Sequence, residues 1–162
     1  MNKFFLSLLF SLISLLAYSQ EYKLDYISLE NSNAIVIGSG IKIEIFKSIH
    51  DPTRNKHTDI SVTRYSIKEK KEIIQKYTLS EVAYDEIVNC ILNIKAIDLI
   101  NNFEIFLDAD DTTLKFSSRN ALVEYSISGL GKGDKNTPYK DFLFTIQTIL
   151  NYANVKIRGI ND

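Results

Sequence analysis

The sequence predicts an α+β domain with a mostly antiparallel β-sheet of about six or seven strands and two helices packed on one face. Short runs of β-type residues alternate with linkers too brief for the crossovers that parallel strands need. Two longer segments instead repeat apolar residues at helical spacing. The order along the chain is strands, helix, strands, helix, which is typical of this fold class.

The N-terminus has the layout of a secretory signal. Lys3 supplies a positive charge, residues 4–16 are apolar apart from serines, and Ala17 and Ser19 provide small side chains for cleavage. The apolar stretch is shorter than the roughly 20 residues that span a bilayer, so a permanent anchor and a buried N-terminal helix are the weaker interpretations. We therefore expect residues 1–19 to be a signal peptide, Gln20 to be the mature N-terminus, and the protein to be periplasmic or secreted.

The length of the chain limits the number of domains, and its charge limits the classes of partner. Residues 20–162 are enough for a single α+β domain. The formal charge is −1, from 19 basic and 20 acidic residues, and loss of Lys3 makes it more negative. Such a charge does not favour nucleic acid or anionic lipid as a partner. We expect no stable membrane insertion after cleavage.

The first part of the mature chain is predicted to form strands. Residues 22–29 roughly alternate, residues 30–33 have turn chemistry, and residues 34–37 are apolar, which together predict a hairpin. Residues 41–46 alternate cleanly and predict a strand with one buried face. Residues 50–57 contain a proline without periodicity and predict a loop.

A second hairpin is predicted from residues 60–67 and 72–77, with a charged tetrad between them. Lysine and glutamate also favour helices, so a helix over residues 68–76 remains an alternative. A helix is predicted to begin near Ser80, capped by Ser80 or by Thr78 with Glu81 in capping-box spacing. Its apolar face comprises Ala83, Ile87, Cys90, Ile91 and Ile94.

Three short strands are predicted next, over residues 103–107, 113–116 and 122–127. A glycine-rich connector follows, and a second helix is predicted to start at Pro138 with Thr137 as its cap. The apolar stripe of this helix comprises Phe142, Leu143, Ile146, Ile149, Leu150 and Ala153.

Cys90 is the only cysteine, which excludes an intramolecular disulfide. Its position on the apolar stripe of the first helix predicts a buried, unreactive thiol. No histidine lies near it in sequence to activate a catalytic thiol.

One stretch invites a catalytic interpretation. Residues 105–114 read IFLDADDTTL, and this resembles the first motif of haloacid-dehalogenase-type phosphatases. The resemblance implies a parallel sheet, with Asp108 as nucleophile and Asp110 as general acid. The acidic pair that the family carries later is missing, because only Asp141 and Asp162 are acidic after Asp134. A hairpin turn at Asp108 and Asp110 is the preferred hypothesis.

Two cation sites can be drawn from the sequence, and neither has the spacing of a known motif. Asp108 and Asp110 occupy the first and third places of an EF-hand-like loop, but Thr113 and Arg119 stand where glycine and glutamate are needed. His50, Asp51, His57 and Asp59 form a cluster on the proline-containing loop, without a paired ligand motif. We expect no metal.

Gly129, Gly131 and Gly133 fit neither common phosphate-binding fingerprint, so we interpret them as a flexible connector. No GxSxG pattern or local triad indicates a hydrolase. We therefore expect no cofactor. These patterns favour a protein that is not an enzyme over an enzyme.

The leading functional hypothesis is a small exported binding protein of the bacterial envelope, inhibitor-like or immunity-like, which acts through contact with another protein. The polar loops are the first candidates for this contact. The candidate residues are Asp51, Arg54, Lys56, Lys132 and Lys135. The alternatives are an exported hydrolase with its site near His50 and His57 or near Asp108 and Asp110, and a structural component of an envelope assembly.

Overall fold

The structure is a computed structural model that describes residues 24–32, 40–47, 58–66, 70–100, 109–131 and 138–161. The predicted signal peptide, the apolar run 34–37 and the predicted strand 103–107 lie outside the described residues.

The described chain contains a single six-stranded sheet in which all neighbouring strands are antiparallel. The strands are β1 Tyr26–Ser32, β2 Ile41–Lys47, β3 Thr58–Ser66, β4 Lys71–Leu79, β5 Asp111–Ser118 and β6 Ala121–Ser128. Their order in the sheet is β4-β3-β2-β1-β5-β6, so β1 and β5 are neighbours in its interior. This architecture confirms the α+β prediction.

Three helices of the described residues accompany the sheet: α1 Glu81–Asn93, α2 Ala96–Ile100 and α3 Lys140–Tyr152. The two long helices confirm the helical predictions, whereas the short α2 was not predicted. Ser80 caps α1, because its side chain accepts a hydrogen bond of 3.2 Å from the backbone N–H of Ala83. The capping-box hypothesis with Thr78 is wrong, since Thr78 is the last residue but one of β4.

Several predicted boundaries differ from the structure. The turn predicted at residues 30–33 is wrong for residues 30–32, which continue β1: Glu30 and Asn31 pair with both β2 and β5, and Ser32 pairs with β5. The helix alternative for residues 68–76 is also wrong, because β4 begins at Lys71. Strand β5 begins at Asp111, two residues before the start of the strand predicted at residue 113. Helix α3 begins at Lys140, two residues after Pro138.

One face of the sheet forms the hydrophobic core with α1 and α3. Alternate residues of the central strands point into this core because successive side chains of a strand lie on opposite faces. The sheet contributes the buried side chains Ile27, Leu29, Ile43, Ile45, Ile60, Val62 and Leu114. The predicted stripe of α3 is buried along its whole length. Burial of this kind stabilises a domain by about 25 cal/mol per Å² of apolar surface.

The C-terminal segment completes the core without regular secondary structure. Val155, Ile157 and Ile160 are buried. Gln147 of α3 donates a 2.6 Å hydrogen bond to the carbonyl oxygen of Ile160, and Asn161 donates one of 2.9 Å to that of Val155. These bonds satisfy backbone groups that a helix or strand would otherwise pair.

Among the helices of the described ranges, none combines the length and the apolar character needed to cross a membrane.

Candidate functional site

The face of the sheet opposite α1 and α3 carries the candidate site, and we call it the open face. It consists of the even-numbered residues of β1, β2, β4 and β6 and the odd-numbered residues of β3 and β5, which the strand registers place side by side. The alternation that sends apolar residues into the core sends mostly polar and charged residues to this face.

The open face is acidic. Six carboxylates and three lysines project from its described strands, so its formal charge is negative. The carboxylates are Glu30, Glu44, Asp59, Glu72, Asp111 and Glu124, and the lysines are Lys42, Lys76 and Lys115. A surface of this sign attracts a basic partner.

A cluster of paired charges occupies the centre of the open face. The Nζ atom of Lys42 lies 2.9 Å from Oε1 of Glu44 and 3.6 Å from Oε1 of Glu30. Tyr26 donates a 3.0 Å hydrogen bond to the same Oε1 of Glu44. The contact with Glu44 raises the pKa of Lys42, so this lysine stays charged at neutral pH. Burial, assisted by Glu44, raises the pKa of Tyr26, although the Ser28 hydroxyl opposes the shift.

A second pair of charges lies beside this cluster, where Lys115 and Glu124 are 3.3 Å apart across β5 and β6. These partly exposed pairs each contribute little to stability. They offset most of the negative charge in the middle of the open face. Among the described residues, the carboxylates of this face that are in no ion pair, Asp59, Glu72 and Asp111, lie nearer its ends.

An aromatic pair lies at the end of the open face where β2 ends and β3 begins. The rings of Tyr26 and Phe46 are 4.9 Å apart between centroids and tilted by 43°. Such a tilted contact fixes the two rings relative to each other. Phe46 nevertheless remains 47% exposed, which leaves one side of its ring available for contact.

Asp59 lies directly across from Phe46 in the register of β2 and β3. Directly opposed side chains in an antiparallel pair have Cβ atoms about 5 Å apart, so the carboxylate and the ring are neighbours. They line a cleft of about 290 Å³ together with Ile60, Ser61 and Lys76. Within the described ranges, Asp59 is exposed and takes part in no ion pair. We call this the Asp59 cleft.

A second cleft of about 290 Å³ lies at the opposite end of the open face. Its walls include Glu30, Lys42 and Thr63, together with Tyr65 and Glu72. The ring of Tyr65 is 40% exposed there. This cleft also combines a carboxylate with an aromatic ring.

All five residues proposed from the sequence as partner contacts lie outside the described residues: Asp51, Arg54, Lys56, Lys132 and Lys135. The same holds for His50, His57 and Asp108. Described residues near these segments lie at opposite ends of the sheet. Lys47 and Thr58 pair at one end of the sheet, whereas Ser128 pairs with Asp111 at the other.

Two acidic residues that border the candidate hydrolase segments are separated by this arrangement: Asp59 follows His57, and Asp111 follows Asp110. Asp59 and Asp111 lie three strands apart and at opposite ends of the open face. Strand spacing and rise per residue put about 24 Å between them. Asp59 and Asp111 therefore do not contribute to one catalytic site. The antiparallel pairing of β5 with β1 and β6 also differs from the parallel sheet that the phosphatase resemblance implies.

Cys90 has the buried environment predicted for it, with 8% of its surface exposed. Its Sγ lies 3.9 Å from Oγ1 of Thr148, in a contact between α1 and α3. Burial raises the pKa of the thiol, which lowers the fraction of reactive thiolate. In the part of the chain that the structure describes, no three His, Cys, Asp or Glu side chains are grouped as metal ligands would be.

The sequence predicted most strands of the open face, but it did not identify this face as a candidate site. The usable signal was the placement of Lys42, Glu44 and Phe46 at alternate positions between buried isoleucines. Charges alternating with core residues identify an exposed face, but they do not show which residues of neighbouring strands lie beside each other, because that depends on the register.

The sequence matches no protein-family model, and a comparison with curated proteins finds no similar sequence.

Proposed function

We propose that the protein is a small exported binding protein of the bacterial envelope and that its open face docks on a basic surface of a partner protein. The observation that supports this most directly is the Asp59 cleft, where a carboxylate without an ion pair in the described chain lies beside the exposed ring of Phe46.

The chemistry of this cleft fits an arginine side chain. A guanidinium group stacks on an aromatic ring and at the same time donates two parallel hydrogen bonds to a carboxylate. Phe46 and Asp59 offer these two partners on adjacent strands. Lysine fits less well, since its ammonium group is a strongly hydrated point charge. The proposed anchor is therefore an arginine of the partner.

The rest of the open face suits the surroundings of such an anchor. The charge pairs of Lys42 with Glu44 and of Lys115 with Glu124 form a polar surface that extends from one side of the cleft towards β6. Six strands at their usual spacing give a face about 24 Å wide and 20 Å long, which corresponds to a total interface near 1,000 Å². That area lies at the lower limit of specific protein contacts, so loops bordering the sheet would add to it.

The contact residues predicted from the sequence remain part of this proposal. Asp51, Arg54 and Lys56 follow Lys47 and precede Thr58, and these two flanking residues pair at the end of the sheet that carries the aromatic pair. Asp51 has the charge that suits a basic surface, whereas Arg54 and Lys56 would need acidic groups of the partner. An inhibitor-like or immunity-like role suits a small exported domain that acts by covering a site on its partner.

The test is affinity capture from the native cell envelope followed by binding measurements with the recovered partner. The decisive variants are Asp59→Asn and Phe46→Ala, with Asp85→Asn as the matched control on the exposed side of α1. We expect each open-face variant to weaken binding about tenfold or more, as the loss of a buried anchor does, and the control to bind normally.

Circular dichroism must show that all variants remain folded. The affinity of the wild type should also fall with rising salt, because an acidic surface and a basic partner attract each other through solvent-screened charges. A partner that binds Asp59→Asn and Phe46→Ala as tightly as the wild type would disprove docking through the open face.

A further inference from the structure

Strand β4 is an edge strand with an unusual sequence. It lies at the end of the sheet, pairs with β3 on one side, and has no described strand on the other. Eight of its nine residues are exposed, including the apolar residues Ile73, Ile74 and Tyr77. Every second residue of an edge strand directs its backbone N–H and C=O groups outward, where they form a template for another strand.

We propose that two copies of the chain associate through β4, which pairs with itself in antiparallel orientation around a two-fold axis at Ile74. The partner is thus a second copy, and the interface joins two sheets edge to edge. The register follows from symmetry and from charge.

Symmetry restricts the possible registers. Opposed residues in an antiparallel ladder must both direct their backbone groups toward each other or both away. In two identical strands the outward-directed residues have the same parity, so an even-numbered residue can oppose only an even-numbered one. The two-fold axis must therefore pass through a residue and not between two residues.

Charge selects among the registers that remain. An axis at Lys76 opposes two lysines, and an axis at Ile73 places Lys70 opposite Lys76. An axis at Gln75 opposes Glu72 with Thr78 and forms no ion pair. Like charges directly opposed across strands are destabilising, and opposite charges are stabilising.

Only the axis at Ile74 combines complementary charge with apolar contact. It opposes Glu72 of each copy with Lys76 of the other, which gives two ion pairs, and it places the two Ile74 side chains against each other. Ile74 is 57% exposed in the single chain, so this contact removes apolar surface from water.

The other edge of the described sheet, β6, has no charges that complement each other in a pair of identical strands. Strand β6 contains one ionisable acid, Glu124, and no basic residue. It therefore cannot form a complementary ion pair with a second copy of itself in any register. The difference between the two edges predicts a closed dimer through β4.

The dimer has a defined shape. Because even-numbered residues oppose even-numbered residues, the open faces of both copies lie on the same side of a continuous sheet, and the helices lie together on the other side. The interface is narrow, so we expect a dissociation constant in the micromolar range.

A charge exchange tests the register. Sedimentation velocity of the purified protein, without any partner, should show a monomer–dimer equilibrium at micromolar concentrations. Glu72→Lys and Lys76→Glu should each weaken the dimer about tenfold, because two attractive pairs become repulsive. The double variant Glu72→Lys with Lys76→Glu restores both pairs and should dimerise within about threefold of the wild type.

Cysteine substitution gives a second, independent measurement. Ile74→Cys should form a disulfide-linked dimer under mild oxidation, because the two residues face each other at the axis. Gln75→Cys and Leu122→Cys, the latter on the exposed edge strand β6, are the matched controls and should not.

Three outcomes would overturn the proposal. The wild type could stay monomeric at high micromolar concentration, the double variant could dimerise as weakly as the single variants, or Gln75→Cys could cross-link in preference to Ile74→Cys. So would species larger than dimers, which indicate head-to-tail pairing of β4 with β6. Because the dimer is measured without a partner, its failure leaves docking through the open face standing as a separate proposal.

Discussion

The buried phenol of Tyr84, in the first turn of α1, donates a hydrogen bond to the main-chain carbonyl oxygen of Leu24, just before β1. The Nζ atom of Lys47, at the end of β2, lies 4.2 Å from the centroid of the same ring. A single side chain thus joins the first helix to the two central strands of the N-terminal half. Burial raises the pKa of Tyr84 well above its usual value, with smaller contributions from Asp25 and Asp85.

Replacing Tyr84 by Phe should lower the free energy of unfolding by about 1–3 kcal/mol, because the carbonyl of Leu24 loses its partner inside the protein.

The raised pKa of Tyr84 also predicts that stability depends on pH. The unfolded chain releases the phenolic proton near pH 10 and the folded chain releases it later, so the wild type loses stability as the pH rises above about 10. Urea denaturation at pH 8 and pH 10.5 should show a smaller loss for Tyr84→Phe than for the wild type. An equal loss in both proteins would contradict the assignment, and Tyr65→Phe serves as an exposed control.

The core beneath α3 depends on residues that have no exposed surface. Phe142 is completely buried, whereas Phe144 on the same helix is 58% exposed. We expect Phe142→Ala to destabilise the domain by about 3–5 kcal/mol through lost burial and a residual cavity. Phe144→Ala should change stability by less than about 0.5 kcal/mol. Thermal denaturation of the two variants compares them directly, and similar losses would show that α3 packs differently.

The N-terminus of α1 should be sensitive at Ser80 and insensitive at Thr78. Ser80→Ala removes the acceptor for the N–H of Ala83 and should cost about 1 kcal/mol. Thr78→Ala removes an exposed side chain of β4 and should cost less. Chemical denaturation of both variants distinguishes this cap from the capping box predicted from the sequence, which requires the opposite order.

Cys90 should react with thiol reagents only when the protein opens. Its thiol is buried and its pKa is raised, so the folded protein presents little thiolate at pH 8. We expect slow modification by a disulfide reagent in buffer and immediate modification in guanidinium chloride. Rapid labelling of the folded protein would show that α1 and α3 separate readily.

The signal peptide predicted at residues 1–19 can be tested by measuring the mass of the mature protein. Intact-mass measurement of protein recovered from the envelope or the medium should show a chain that begins at Gln20. Recovery of the full-length chain from the membrane fraction would refute both the cleavage and the export that the proposed function assumes.

The sequence predicted most of the regular structure because its periodicities are strong. Isoleucine at alternate positions of β2 predicted a strand with one buried face, and the stripe of α3 predicted a buried helix. The end of β1 was predicted wrongly. Its residues Glu30, Asn31 and Ser32 have turn chemistry, but pairing with strands on both sides overrides that local preference.

The candidate site was less predictable than the fold. The juxtaposition of Phe46 and Asp59 depends on the register between β2 and β3, which are separated in sequence by a long loop. The buried C-terminal segment was also missed, because Val155, Ile157 and Ile160 follow no strand or helix period and are held by side-chain hydrogen bonds from Gln147 and Asn161. Hydrogen bonds of this kind leave no periodic signal in a sequence.

That buried C-terminal segment has a consequence for biosynthesis. Val155, Ile157 and Ile160 are synthesised long after β1, yet they complete the core in which Ile27 and Leu29 are buried. Strand β1 must likewise wait for β5, whose residues follow it by more than 80 positions at the pair Asn31 and Thr112. The ribosome must therefore release almost the whole domain before the native core can form, so folding follows translation instead of accompanying it.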